Sequence, residues 1–141
     1  MDISSLTQQI QDSFRKDPGI DGDAQRISQI SWLLFLKAID VLEKENKKKN
    51  IKYQPVLPNA ISWDVWTSKF NDSQHDELVN FINDKLIPSL TKLKGDTPLS
   101  LIVKQVFMGI RNYSRSGKII FETINYINFL VDYADSKQKH F

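Results

Sequence analysis

The sequence predicts an all-α fold, a compact bundle of about five to six helices, and three observations carry that prediction. Apolar residues recur at helical three- and four-residue spacing through most of the 141 residues. The run Ile30-Ser31-Trp32-Leu33-Leu34-Phe35-Leu36-Lys37-Ala38-Ile39-Asp40-Val41-Leu42 holds no glycine or proline and is apolar around most of a helical circumference. Breakers such as Asp17-Pro18-Gly19 and Gly95-Asp96-Thr97-Pro98 cut the chain into helix-length pieces.

At the N-terminus, Ile3, Leu6, Ile10 and Phe14 line one face of a first helix, with Ser4 or Ser5 as its N-cap. Asp17-Pro18-Gly19 stops it and a loop runs through Gly22. The central helix follows, over about 23–46, with Arg26, Lys37, Asp40 and Lys44 as a narrow polar stripe on an apolar rod. Lys37 and Asp40, three apart, read as an ordinary surface pair. Beyond them Glu43 to Asn50 is rich in charge and expected to fray into solvent. Residues 51–66 form an irregular or short extended segment, since Pro55 and Pro58 disfavour helix. Trp63 and Trp66, three apart, are expected to pin it to the core, with a base-stacking platform as the sharper possibility.

Ser73 is a candidate N-cap for the next helix, whose buried face is Leu78, Phe81, Ile82 and Leu86, and Pro88 predicts a kink or a division into two short helices. His75 has no partner ligand at metal spacing and reads as solvated. Thr97 is placed to cap a helix that starts at Pro98 and buries Leu99, Ile102, Val103, Val106, Phe107 and Ile110. The last helix runs from Ile119 to about Ala134, with Ile120, Ile124, Ile127 and Val131 on one face and Phe121, Phe129 and Leu130 widening it. Residues 135–141 lose that periodicity.

Composition narrows the function. Nineteen Lys and Arg against 17 Asp and Glu leave a formal charge of +2, too small to argue for a nucleic-acid partner by itself. The chain has no cysteine, which removes disulfides, zinc-thiolate sites and cysteine nucleophiles together. Lacking a signal-peptide pattern and any membrane-length apolar run, it is expected to be cytoplasmic. Neither a nucleotide-binding glycine loop nor a nucleophile elbow nor a histidine pair at ligand spacing occurs, so the chain carries no catalytic, cofactor-binding or metal site of its own.

Local charge remains. Arg111-Asn112-Tyr113-Ser114-Arg115-Ser116-Gly117-Lys118 is basic without an acid. Arg111, Arg115 and Lys118 are candidates for DNA phosphates, with Tyr113 available to stack. Lys47, Lys48 and Lys49 make a weaker patch of the same kind. The plain alternative is a solvated interhelical loop and a helix C-terminus that favours lysine.

The order of these features resembles one family. A leading amphipathic helix, the segment from Gln25 to Asp40 with its Leu34-Phe35-Leu36-Lys37 core, the Trp63 and Trp66 region, Leu86-Ile87-Pro88-Ser89-Leu90, Val106-Phe107 and the helix from Ser116-Gly117 to Asn128 are similar to the N-terminal helical domain of the modification (M) subunit of type I restriction-modification systems, the N6-adenine DNA methylases. The resemblance spans essentially all of 1–141. It implies a single helical domain standing before a catalytic domain that binds S-adenosylmethionine and carries Asn-Pro-Pro-Tyr/Phe, a motif missing here, so that the chain would be an N-terminal fragment or a naturally truncated subunit, without methylase activity of its own. It further implies a specificity subunit and a second M subunit as partners, and double-stranded DNA held through its backbone as the complex closes. A docking module for the specificity subunit with no DNA contact is the competing reading. A free-standing regulator is disfavoured, because no helix pair pairs a turn with a basic recognition helix.

Overall fold

The protein is described by a computed structural model covering residues 3–139, and every described element is helical. Helix α1, Ile3–Arg15, buries Ile10 and Phe14 of its predicted face, the side chains of Ile3 and Leu6 lying outside the described residues, and it already includes Ser4 and Ser5, which therefore do not cap it. Gly22, at a φ of 78°, turns the chain into α2, Gly22–Lys49. This left-handed backbone is cheap only for glycine. Helix α2 is longer than its sequence suggests: it continues through the lysine run, and Asn50 closes it by donating its backbone N–H to Asn46 at 3.0 Å.

Trp32, Leu33, Leu36 and Ile39 of α2 enter the main core with Trp63, Trp66, Leu86, Phe107 and Ile120. The polar stripe of α2 departs from expectation. Lys37 and Asp40 are buried, not a surface pair, and the outward positions are largely apolar. The reason is tertiary. Asp40 pairs with Lys44 at 3.0 Å, and Lys44 also engages Asp64, so the charged residues tie the helix to the segment beneath it. Glu43 serves the same segment, its carboxylate accepting from the Val56 backbone N–H and from the Tyr53 hydroxyl at 3.4 Å.

That segment contains no strand. It is irregular up to a 3-10 turn, Asn59–Ile61, and then enters α3, Trp63–Ser68. Both indoles are fully buried, edge to face at 5.4 Å, and Trp63 Nε1 donates to Asn128 Oδ1 at 2.8 Å. The core-anchor reading therefore holds and the base-stacking one does not.

Helix α4, His75–Phe81, a π turn, Ile82–Leu86, and α5, Ile87–Thr91, form one continuous rod, so that the described residues make six rods in all. Gln74 stands at the N-cap position, not Ser73, and it makes no side-chain cap. Pro88 lacks an N–H and its ring would collide with the carbonyl four residues back. The wide turn just before it, closed by Ile87 N donating to Ile82 O, absorbs the misfit without a break. Helix α6, Pro98–Met108, starts as predicted: Thr97 Oγ1 accepts from Ser100 N at 3.2 Å. Ile102, assigned to its buried face, is instead half exposed. Thr97→Ala is expected to cost about 1 kcal/mol, read as a lower urea midpoint with an unchanged slope.

Helix α7, Gly117–Lys139, crosses both α1 and α4. It runs past the predicted end near Ala134, while residues 140–141 of the tail lie outside the described residues. Ile120, Ile124 and Ile127 are buried, whereas Phe129 is exposed and stacks on Tyr133 at 6.4 Å. A second, smaller core of Ile10, Phe14, Ile20 and Ile119 joins α1 to α7. No described helix is long and apolar enough to cross a membrane.

Candidate nucleic-acid interface

The basic loop between α6 and α7 is held by polar side chains from three other parts of the chain, two of them buried. Asp17, just after α1, is almost fully buried. Its Oδ1 accepts from Gly19 N at 2.9 Å and from Arg115 N at 3.0 Å, and its Oδ2 accepts from the Ser114 hydroxyl and from Ser116 N at 3.4 Å. A carboxylate that collects this many donors is well compensated for its lost hydration. Gln29, fully buried in α2, donates to Asn112 Oδ1 at 2.7 Å and accepts from Tyr113 N at 2.9 Å. Asn112 donates in turn to Asn83 Oδ1 at 3.0 Å, which ties the loop to the π turn. His75, read as a solvated side chain, is part-buried at the start of α4 and paired with Asp72 at 3.0 Å.

Two glycines let the backbones meet. A Cβ on Gly19 would lie 2.0 Å from the Tyr113 carbonyl oxygen, and one on Gly117 would lie 2.0 Å from that of His75. Neither approach tolerates a side chain. Ser116 then launches α7, its hydroxyl accepting from Ile119 N at 3.2 Å.

With the loop backbone fixed, Arg111, Arg115 and Lys118 are exposed, and they outnumber the buried Asp17 three to one. Tyr113 is half buried against the smaller core, and the Arg111 guanidinium lies 5.5 Å from its ring centroid. The ring thus supports an arginine. Lys47, Lys48 and Lys49 are exposed at the far end of α2, eighteen or more residues beyond Gln29 and so ~27 Å along the helix. The structure does not bring the two predicted patches together.

Sequence reasoning missed a third basic surface. Lys69, Lys85, Lys92 and Lys94 rim a cavity of about 650 Å³ floored by Val56, Phe81, Pro88 and Leu93, and Lys69 lies 5.3 Å from the Phe81 ring centroid. The seven-residue interval from Lys85 to Lys92 was the available signal, because it returns to the same side of a helix.

Among the described residues no cluster of His, Asp and Glu is arranged to hold a metal ion. All three tryptophans are interior, so no exposed indole is present for docking a partner.

This helical architecture is shared with known DNA-modification proteins. The family model described as the HsdM N-terminal domain matches residues 4–127, and the chain belongs to that family. It is 38% identical, over 99% of its own length, to the methylase subunit of the type I restriction enzyme EcoEI from Escherichia coli, of which it spans 29%. Among solved structures, it superposes with a TM-score of 0.80 and 25% identity on a modification subunit from Vibrio vulnificus YJ016 assigned to a type I restriction enzyme, covering 89% of this chain and 30% of that one. It also superposes, with a TM-score of 0.76 and 29% identity, on a chain from a study of complex assembly and conformational transition in the type I restriction-modification system, covering 88% of this chain and 25% of the other. The chain thus spans less than a third of these relatives.

Proposed function

We propose that this domain contributes non-specific contacts to the DNA backbone within a type I modification complex, alongside a specificity subunit and a second M subunit, and helps the complex close around the duplex. Methyl transfer and S-adenosylmethionine binding belong, on this reading, to the catalytic part of the full-length subunit, and base readout to the specificity subunit. The observation that carries the proposal is the acid-free loop 111–118, held by Asp17 and Gln29 so that Arg111, Arg115 and Lys118 face solvent. Backbone contacts need cations held in register, and base-edge donors are not required for them. The domain relatives' association with type I enzymes supports the same assignment.

The test is the assembled complex carrying Arg111→Ala and Arg115→Ala together. Both side chains are exposed and the loop is fastened through its backbone, so the variant should fold and assemble normally. Its affinity for cognate and unrelated duplexes is expected to fall by the same factor, as backbone contacts demand. Unchanged affinity for both would remove the loop from the interface, and pull-down of the specificity subunit by the isolated domain would then favour docking alone.

A further inference from the structure

Four lysines stand around the groove between residues 56–61 and the rod that runs from α4 to α5, and none has an acidic partner. Lys69 follows α3, Lys85 sits on the π turn, Lys92 closes α5 and Lys94 lies just beyond it, all four exposed. Among the described residues no carboxylate comes within ion-pair distance of any of them. Asp84 alone opposes them among the described residues of the lining, so the groove carries four positive charges against one. Glu77 lines the smaller hollow beside it, and Asp96, two residues past Lys94, lines neither. Counting both acids still leaves the surface positive.

Between the lysines the surface is apolar. Val56, Pro88 and Leu93 lie under a cavity of about 650 Å³, a volume within the range of built ligand sites. Unpaired cations around an apolar floor are complementary to an acidic segment that carries an apolar side chain. Nucleic acid fits this surface less well. Phe81 is 8% exposed, stacks on Trp66 at 6.1 Å and lies under the Lys69 ammonium, so no ring face is free for a base. Asp84 would repel a phosphate, whereas it can accept from a peptide N–H.

We propose that this groove is a docking site for an acidic peptide segment of a partner protein. A large apolar side chain of that segment rests on Val56, Pro88 and Leu93, and its flanking carboxylates meet the four ammonium groups. Lysine suits both tasks, since its stem lies along apolar surface while its head reaches a charge. The groove shares no lining residue with loop 111–118, so the inference stands apart from the DNA reading.

The test is fluorescence anisotropy on the 141-residue chain with a labelled peptide, Glu-Asp-Leu-Phe-Asp-Glu, and with the same peptide carrying Ser-Ser in place of Leu-Phe. The first is expected to bind with a Kd on the order of 100 μM, and the second about tenfold more weakly. Lys85→Glu with Lys92→Glu should weaken the first by about tenfold or more, with an unchanged circular dichroism melt. Lys16→Glu with Lys52→Glu, exposed and outside the groove, alters the net charge equally and should leave the Kd within about twofold. No binding of the first peptide up to about 1 mM overturns the proposal. Equal binding of the Ser-Ser peptide, retained affinity in Lys85→Glu with Lys92→Glu, or equal loss in the two double variants does so as well. A labelled thymidine oligonucleotide that binds more tightly than the peptide, and loses its affinity in Lys85→Glu with Lys92→Glu, makes the groove a nucleic-acid surface and overturns it too.

Discussion

Asp17→Ala is expected to lower the unfolding free energy by about 3 kcal/mol, because it orphans several buried donors at once. The amides of Gly19, Arg115 and Ser116 and the Ser114 hydroxyl all point at this carboxylate. An unsatisfied buried donor costs about 1–3 kcal/mol, and the loop recovers part of that by opening to water. For a chain of this size the loss corresponds to a fall of about 10 °C in Tm, measurable by circular dichroism. Hydrogen exchange adds a local readout: the Arg115 amide should be protected in the wild type and exchange quickly in the variant. Asp17→Asn keeps one acceptor oxygen and turns the other site into a donor facing a donor, so its Tm should fall between the two. If Asp17→Ala melts with the wild type, the carboxylate does not hold the loop.

Trp63→Ala should be the most damaging core substitution, at about 4 kcal/mol, the range found for truncating a buried aromatic. The side chain is completely buried, packs edge to face on Trp66 and satisfies Asn128. Its loss empties the junction between α3 and α7. Trp63→Phe keeps most of the apolar volume but leaves Asn128 without its donor, at about 2 kcal/mol. Denaturant midpoints order the three proteins, and a phenylalanine variant with the wild-type midpoint would show that the indole N–H contributes nothing.

The parts of this fold that were legible in the sequence are those specified by local chemistry. The face of α1, the Thr97 cap with Pro98 behind it, and the paired tryptophans all depend on residues within one or two turns. Pro88 was recognised as a disturbance, but whether a helix breaks, bends or widens depends on what packs around it, and here it widens. The loop was recognised by its charge alone. What holds it was not visible, since Asp17 lies 97 to 99 residues from Ser114, Arg115 and Ser116, and Gln29 lies 84 from Tyr113. In sequence Asp17 is one of three residues that stop a helix, and Gln29 one more polar residue on a helical surface. The face of α2 misled for the same reason. Periodicity showed a rod apolar nearly all round, yet only the neighbours decide which side is covered, and they chose the side that contains Lys37 and Asp40.

The central claim is that the fixed loop places its arginines against DNA phosphates, and the salt dependence of binding tests it most directly. For the assembled complex, the slope of log K against log salt counts the phosphates neutralised, at about 0.9 per contact on duplex DNA. The account predicts that Arg111→Ala with Arg115→Ala makes the slope shallower by about 2, for cognate and unrelated duplexes alike. Coincident slopes for wild type and variant would contradict it.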